Sequence, residues 1–136
     1  MKRLLLIAIT GFVLSGCTDK KAQQKAILDE VIKVHDKVMG ADEDLMKNKM
    51  LLDSMVKHNS TADIKDSVYA YLTKVNLADS AMSNWMHKFD PDHSSKSDDE
   101  TIAYFYDQKK QIMAIDSQIT TVVERSNKYL IKMKMK

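Results

Sequence analysis

The sequence predicts an all-α protein, an elongated antiparallel three-helix bundle with up-down-up topology and heptad packing, behind an N-terminal signal segment. Three observations carry that expectation. Three glycines and one proline are too few for the tight turns of a sandwich or barrel. Apolar residues step by four and three over three long stretches. The breaks between those stretches are short, which forces neighbouring helices to run antiparallel. With 136 residues, 44% hydrophobic and 29% charged, the chain has the composition of one folded domain.

The first helix is expected over about 22–57. Its seam reads Ile27, Val31, Val34, Val38, Ala41, Leu45, Asn48, Leu52, Met55, with Asn48 the one polar member. The pattern runs through Gly40, whose place in a helix interior costs about 1 kcal/mol and marks either a weak point or a close approach. His58-Asn59-Ser60-Thr61 forms the break, with Ser60 as N-cap and Asp63 completing a box-like start.

The second helix, about 61–89, repeats the spacing in Ile64, Val68, Tyr71, Val75, Ala78, Met82, Trp85 and Phe89, then stops at Asp90-Pro91. Asp92 to Lys96 is a loop. Ser97 and Glu100 form a capping box for the third helix, 98–134, and Asp98 and Asp99 set negative charge on its positive end. Its seam is Phe105, Gln108, Ile112, Ile115, Ile119, Val122, Ser126, Tyr129 and Met133.

Residues 1–16 have the build of an export signal. Lys2 and Arg3 precede an apolar run, Leu4 to Leu14, that is too short to span a bilayer, which takes roughly 20 residues. The run closes in Leu14-Ser15-Gly16-Cys17, which resembles the lipobox of bacterial lipoproteins, so Cys17 is the expected lipidation site and 17–21 the tether to a domain over 22–136. That resemblance implies a membrane anchor in the cell envelope. Asp19 is the lone acid behind the Cys, which favours the periplasmic side.

Charge and cysteine usage exclude several classes. The signal holds two of the 21 basic residues and none of the 19 acidic ones, so the remainder is balanced and offers no basic face to nucleic acid. The single Cys excludes a disulfide framework, a CxxCH haem attachment and a cysteine zinc cluster. Nucleophile-elbow, HExxH, P-loop and dinucleotide motifs are absent, so no enzyme is expected. Ser60, Ser94 and Ser97 read as caps or loop residues. His87 and His93 beside Asp90 and Asp92 read as a solvated turn, and Asp98-Asp99-Glu100 as helix-start chemistry rather than a calcium loop.

Histidine and methionine placement is the one hint of ligand chemistry. His35 and Met39 lie four apart on the first helix, and Met82 and Met86 do the same on the second, with Trp85 on the seam. A hairpin turning near 59–60 places residues whose numbers add to about 119 at one level. That gathers His35, Met39, Met82, Trp85 and Met86 near one end, with Phe105 expected alongside. Thioethers and an imidazole suit a soft ion such as Cu(I), and a His/Met pair suits haem b less well in so slender a bundle. Packing accounts for the same residues, because Met fills irregular gaps and contacts aromatic rings well, and it is the preferred reading of the cluster. Met46, Met50, Met55 and His58 read as packing too.

The segments Val31-Ile32-Lys33-Val34-His35-Asp36-Lys37-Val38-Met39, Ala81-Met82-Ser83-Asn84-Trp85-Met86-His87-Lys88-Phe89 and Tyr104-Phe105-Tyr106-Asp107-Gln108-Lys109-Lys110-Gln111-Ile112 resemble a group of small uncharacterised Bacteroidota envelope lipoproteins, some of which carry the label "viral A-type inclusion protein". The resemblance implies a helical bundle on a lipid anchor and supplies no substrate. In that group a Pro commonly follows the Met where this chain has Gly40. The expectation from sequence is therefore a lipid-anchored periplasmic bundle acting as an interaction or scaffold module, with a protein partner or a second copy, no nucleic acid and no cofactor, the alternative being copper.

Overall fold

The computed structural model describes residues 15–58 and 61–134, with side chains from residue 19 onward. It contains three helices, α1 (Ser15–Lys57), α2 (Ala62–Lys88) and α3 (Asp98–Lys134), and no strand among the described residues. This is the all-α three-helix bundle that the periodicity predicts. At 1.5 Å per residue, α1 is roughly 64 Å long, α3 about 56 Å and α2 about 40 Å.

Side-chain pairings fix the direction of each helix. Between α1 and α3, Lys20 pairs with Asp99 (2.8 Å), Lys21 with Asp98 (2.7 Å), Glu30 with Lys109 and Lys37 with Asp116 (2.6 Å). These partners differ by 77 to 79 in residue number, so α1 and α3 run parallel in one register along their length. Between α1 and α2, His35 meets Trp85 and Asp42 senses the charge of Asp79. Those numbers add to 120 and 121, which makes α2 antiparallel to both and agrees with the level of about 119 expected from the hairpin. The α1–α3 interface is the most extensive of the three.

The core is the predicted seam. Val31, Val38, Leu45 and Leu52 of α1 meet Val68, Val75 and Ala78 of α2 and Ile112 and Ile119 of α3, all of them at most 1% exposed, and Phe105 is buried separately toward the start of α3. Leu72 and Leu130 join them from positions next to the seams, as do Gln24 and Thr101 one step beyond their expected starts. Asn48 is buried as well. Its Nδ2 donates to Ser126 Oγ at 2.9 Å, and that hydroxyl donates in turn to the Val122 carbonyl at 2.7 Å, so the one polar break in the α1 seam meets the one Ser in the α3 seam.

Helix ends differ from expectation in two places. The polar stretch 17–21, read as a tether, is part of α1, which starts seven residues before Ala22. The cause is tertiary. Lys20 and Lys21 reach the carboxylates at the start of α3, and Gln24 Nε2 donates to both the carbonyl (3.2 Å) and the Oδ1 (2.8 Å) of Asp98. The N-cap of α2 is Thr61, which makes no side-chain capping bond, while Ser60 lies outside the described residues. The signal segment falls outside them too, apart from Ser15 and Gly16.

Other local readings agree with the geometry. α1 passes through Gly40 without a break, and a Cβ placed there meets nothing within 4 Å, so the glycine is a weak point rather than a close approach. The Ser97–Glu100 box forms in full. The Ser97 hydroxyl (2.7 Å) and N–H (2.8 Å) both donate to Glu100 Oε2 and hold that carboxyl below its usual range, while the Glu100 N–H donates to Ser97 Oγ (3.3 Å).

The α2–α3 loop is an ordered strap. The Asp92 N–H donates to Asp90 Oδ1 and the Ser94 N–H to Asp92 Oδ1, both at 2.9 Å, so side chains supply the turn bonds. The Asp90 N–H donates to the Tyr104 hydroxyl (2.8 Å), and the Lys96 ammonium sits 5.2 Å from the Tyr104 ring centre. The strap covers the stretch of α1 and α3 that the shorter α2 leaves bare.

Candidate functional site

α1 continues past the point where α2 ends at Lys88, and a cleft opens there. Its walls are Val31, Ile32, His35 and Asp36 from α1 and Trp85, Met86 and Phe89 from the end of α2, around a volume of about 400 Å³. Phe89 is the C-cap residue, in extended conformation, because Asp90-Pro91 cannot continue the helix. This turn of the chain leaves its ring stacked on Trp85, with centres 4.9 Å apart, and on Tyr104 at 6.4 Å.

Trp85 forms the inner wall, 5% exposed, and its indole Nε1 is buried with no hydrogen-bond partner. The His35 ring lies 6.1 Å from it, tilted by 37°. His35 Nδ1 is 3.0 Å from Asp36 Oδ1, which leaves Nε2 on the other edge of the ring. The groove is thus apolar on its floor and polar at the His35–Asp36 rim. Ile32 and Met86, 47% and 40% exposed, are large apolar side chains left open to solvent beside it.

The residues singled out from sequence divide between three environments. His35, Trp85 and Met86 come together in the groove. Met82 points into the core at 2% exposure, and Met39 is 39% exposed on α1 outside the groove lining, so the four candidate metal ligands do not converge on one point. Phe105 sits one layer further along. It lines a separate cavity of about 190 Å³ with Gln24, Leu28 and His93, and His93 meets its ring edge-on at 5.4 Å. The α1–α3 register puts Phe105 level with residues near 26 of α1, about 13 Å from the His35 layer. Among the described residues no group of three or more His, Cys, Asp or Glu is placed to hold a metal ion.

Two features of the site escape a reading of one helix at a time. Phe89 counts in the sequence only as the last seam residue, yet it is the ring that closes the groove. Asp42 and Asp79 look like solvated helix positions. In the structure Asp42 Oδ1 is buried without a hydrogen-bond partner, and burial first and the charge of Asp79 second hold its carboxyl above the usual range.

Comparison with family models, with curated proteins and with solved structures finds no match for this chain. No helix among the described residues is long and apolar enough to cross a membrane.

Proposed function

We propose that this chain is a lipid-anchored periplasmic lipoprotein whose bundle serves as a non-catalytic interaction module, with the α1–α2 groove as its docking surface. The groove carries the reading. It combines an aromatic floor, exposed apolar side chains at Ile32 and Met86, and a polar rim at His35–Asp36, the anatomy of a protein-binding cleft. The anchor reading rests on the signal and lipobox pattern ending at Cys17. It requires Cys17→Ser to release the protein from the membrane fraction and to abolish incorporation of labelled palmitate.

The interaction reading is tested in cells by photocrosslinkers placed at Ile32 and Met86, with exposed Tyr69 as the control position. The expected result is one recurring protein adduct from the groove positions and none from the control. Equal smears from all three would sink it.

A second reading, Cu(I) held by His35 and Met86 beside Trp85, is favoured by the lining of the groove, which supplies one imidazole and one thioether. It requires Met39 or Met82 to swing inward to complete the ligand set. Titration with Cu(I) against a competing chelator, followed by Trp85 emission and repeated in His35→Ala, decides it.

A further inference from the structure

α1 makes its ion pairs to neighbouring helices on one side. Toward α3 it uses Lys20, Lys21, Glu30 and Lys37. Toward α2 no ion pair crosses among the described residues, and two carboxylates approach each other there, Asp42 of α1 and Asp79 of α2, closely enough for the charge of Asp79 to act on Asp42. Neither has a cation in ion-pair contact, and Asp42 Oδ1 is sealed from water as well as unbonded.

The helical period places these carboxylates on the line of the groove. Asp42 follows His35 by seven residues and Asp79 precedes Met86 by seven, so both sit two turns, about 10.5 Å, along the same α1–α2 boundary. Met39, three residues before Asp42, is exposed between the two layers. The boundary is therefore apolar and aromatic at the Phe89 end, thioether in the middle and anionic at the Asp79 end. Asp36 adds a further carboxylate at the rim.

We propose that this boundary docks a cationic amphipathic helix of a partner protein, with its apolar side chains in the groove against Trp85, Met86 and Phe89 and a Lys or Arg one heptad further on against Asp42 and Asp79. The inference rests on the interaction reading and adds the chemistry of the partner. Two features 10.5 Å apart exceed the reach of one small cation. They match side chains at i and i+7 of a helix laid along two others. The sign follows from charge complementarity, because a desolvated carboxylate facing a second one gains from a cation that shares its burial.

The test uses the full chain in detergent and three synthetic helical peptides that share Leu and Phe at i and i+4 and differ at i+7 and i+11, which carry Lys, Gln or Glu. Trp85 is the only tryptophan, so its emission reports occupancy of the groove. The Lys peptide is expected to bind about tenfold tighter than the Gln peptide, and the Glu peptide more weakly still. The Asp42→Asn/Asp79→Asn double variant should bring the Lys peptide down to the Gln peptide's affinity, whereas Asp66→Asn, an exposed acid elsewhere on α2, should change nothing. Circular dichroism confirms that each variant is folded.

Equal binding of the Lys and Glu peptides, or an unchanged double variant, would overturn the cationic partner while leaving the groove a docking site. Loss of all three peptides would overturn both readings. Concentration-dependent Trp85 emission without peptide would assign the boundary to a second copy of the chain and overturn the proposal as well.

Discussion

Asn48 on α1 donates a 2.9 Å hydrogen bond to Ser126 on α3 in the buried heart of the bundle. The pair sits in the same register, an offset of 78, as the ion pairs nearer the N-terminus, which differ by 77 to 79. A single buried polar contact of this kind is satisfied at one alignment of two parallel helices and broken at every other. Asn48→Ala should cost about 1–2 kcal/mol through the lost bond and the space left behind. Asn48→Leu is expected to hold or raise the urea midpoint, since Ser126 keeps its bond to the Val122 carbonyl, and to loosen the α1–α3 register. Spin labels at Lys37 and Asp116 would read the register as a broadened distance distribution. An unchanged distribution in Asn48→Leu would assign register to the apolar seam alone.

Gly40→Ala should stabilise the protein by about 0.5–1 kcal/mol. Helix continues on both sides of Gly40, and the new methyl group enters open space. Urea denaturation checks the sign.

The carboxyl of Asp42 gives a pH dependence of definite direction. Burial first and the Asp79 charge second raise its folded pKa above the ordinary carboxylate value, so its contribution favours folding at pH below that ordinary value and is lost as pH rises through the raised one. Asp42→Asn should therefore leave stability at pH 3 unchanged and raise it at pH 7. Water on the open side of the carboxyl keeps that gain below about 1 kcal/mol. Thermal melts at the two pH values make the comparison, and a variant less stable at pH 7 would contradict it.

Asp98 behaves in the opposite sense. Bonds from Lys21 and Gln24 hold its carboxyl below the usual range, so its clamp on α1 is complete above pH 3.8 and is lost as pH falls through the lowered value. Asp98→Asn at pH 7 should speed amide exchange in the first turns of α1, around 20–27, and leave the Asn48 region protected. Uniform acceleration along α1 would show that the clamp supports the whole helix.

Phe89→Ala is expected to cost about 2 kcal/mol, less than a fully buried Phe, because the ring is half-buried between Trp85 and Tyr104. Trp85 emission should shift to the red as water enters the groove. Loss of stability without that shift would place the energy in the contact with Tyr104 and the strap.

What the chain determined by itself is the set of helices and their inward faces. The four-three spacing marks Val31, Val38, Leu45, Ile112 and Ile119 as core because a 3.6-residue period leaves a helix one face to bury. Pro91 and the Ser97–Glu100 box fix the second turn through local chemistry, visible within a few residues of sequence. The hairpin geometry even puts His35 near Trp85.

Tertiary structure decided the rest, because it depends on which helix lies beside which, and by how much it is shifted. The α1–α3 register moved Phe105 a layer away from the groove. The contacts of Lys20, Lys21 and Gln24 turned a polar tether into the first turns of α1. Met82 is core, as its place in the α2 seam predicts, whereas only the packing of α1 beside α2 made Met86, four residues on, a wall of the groove. The approach of Asp79 to Asp42 joins residues 37 apart in sequence, and Asp42 looks solvated until packing buries its Oδ1.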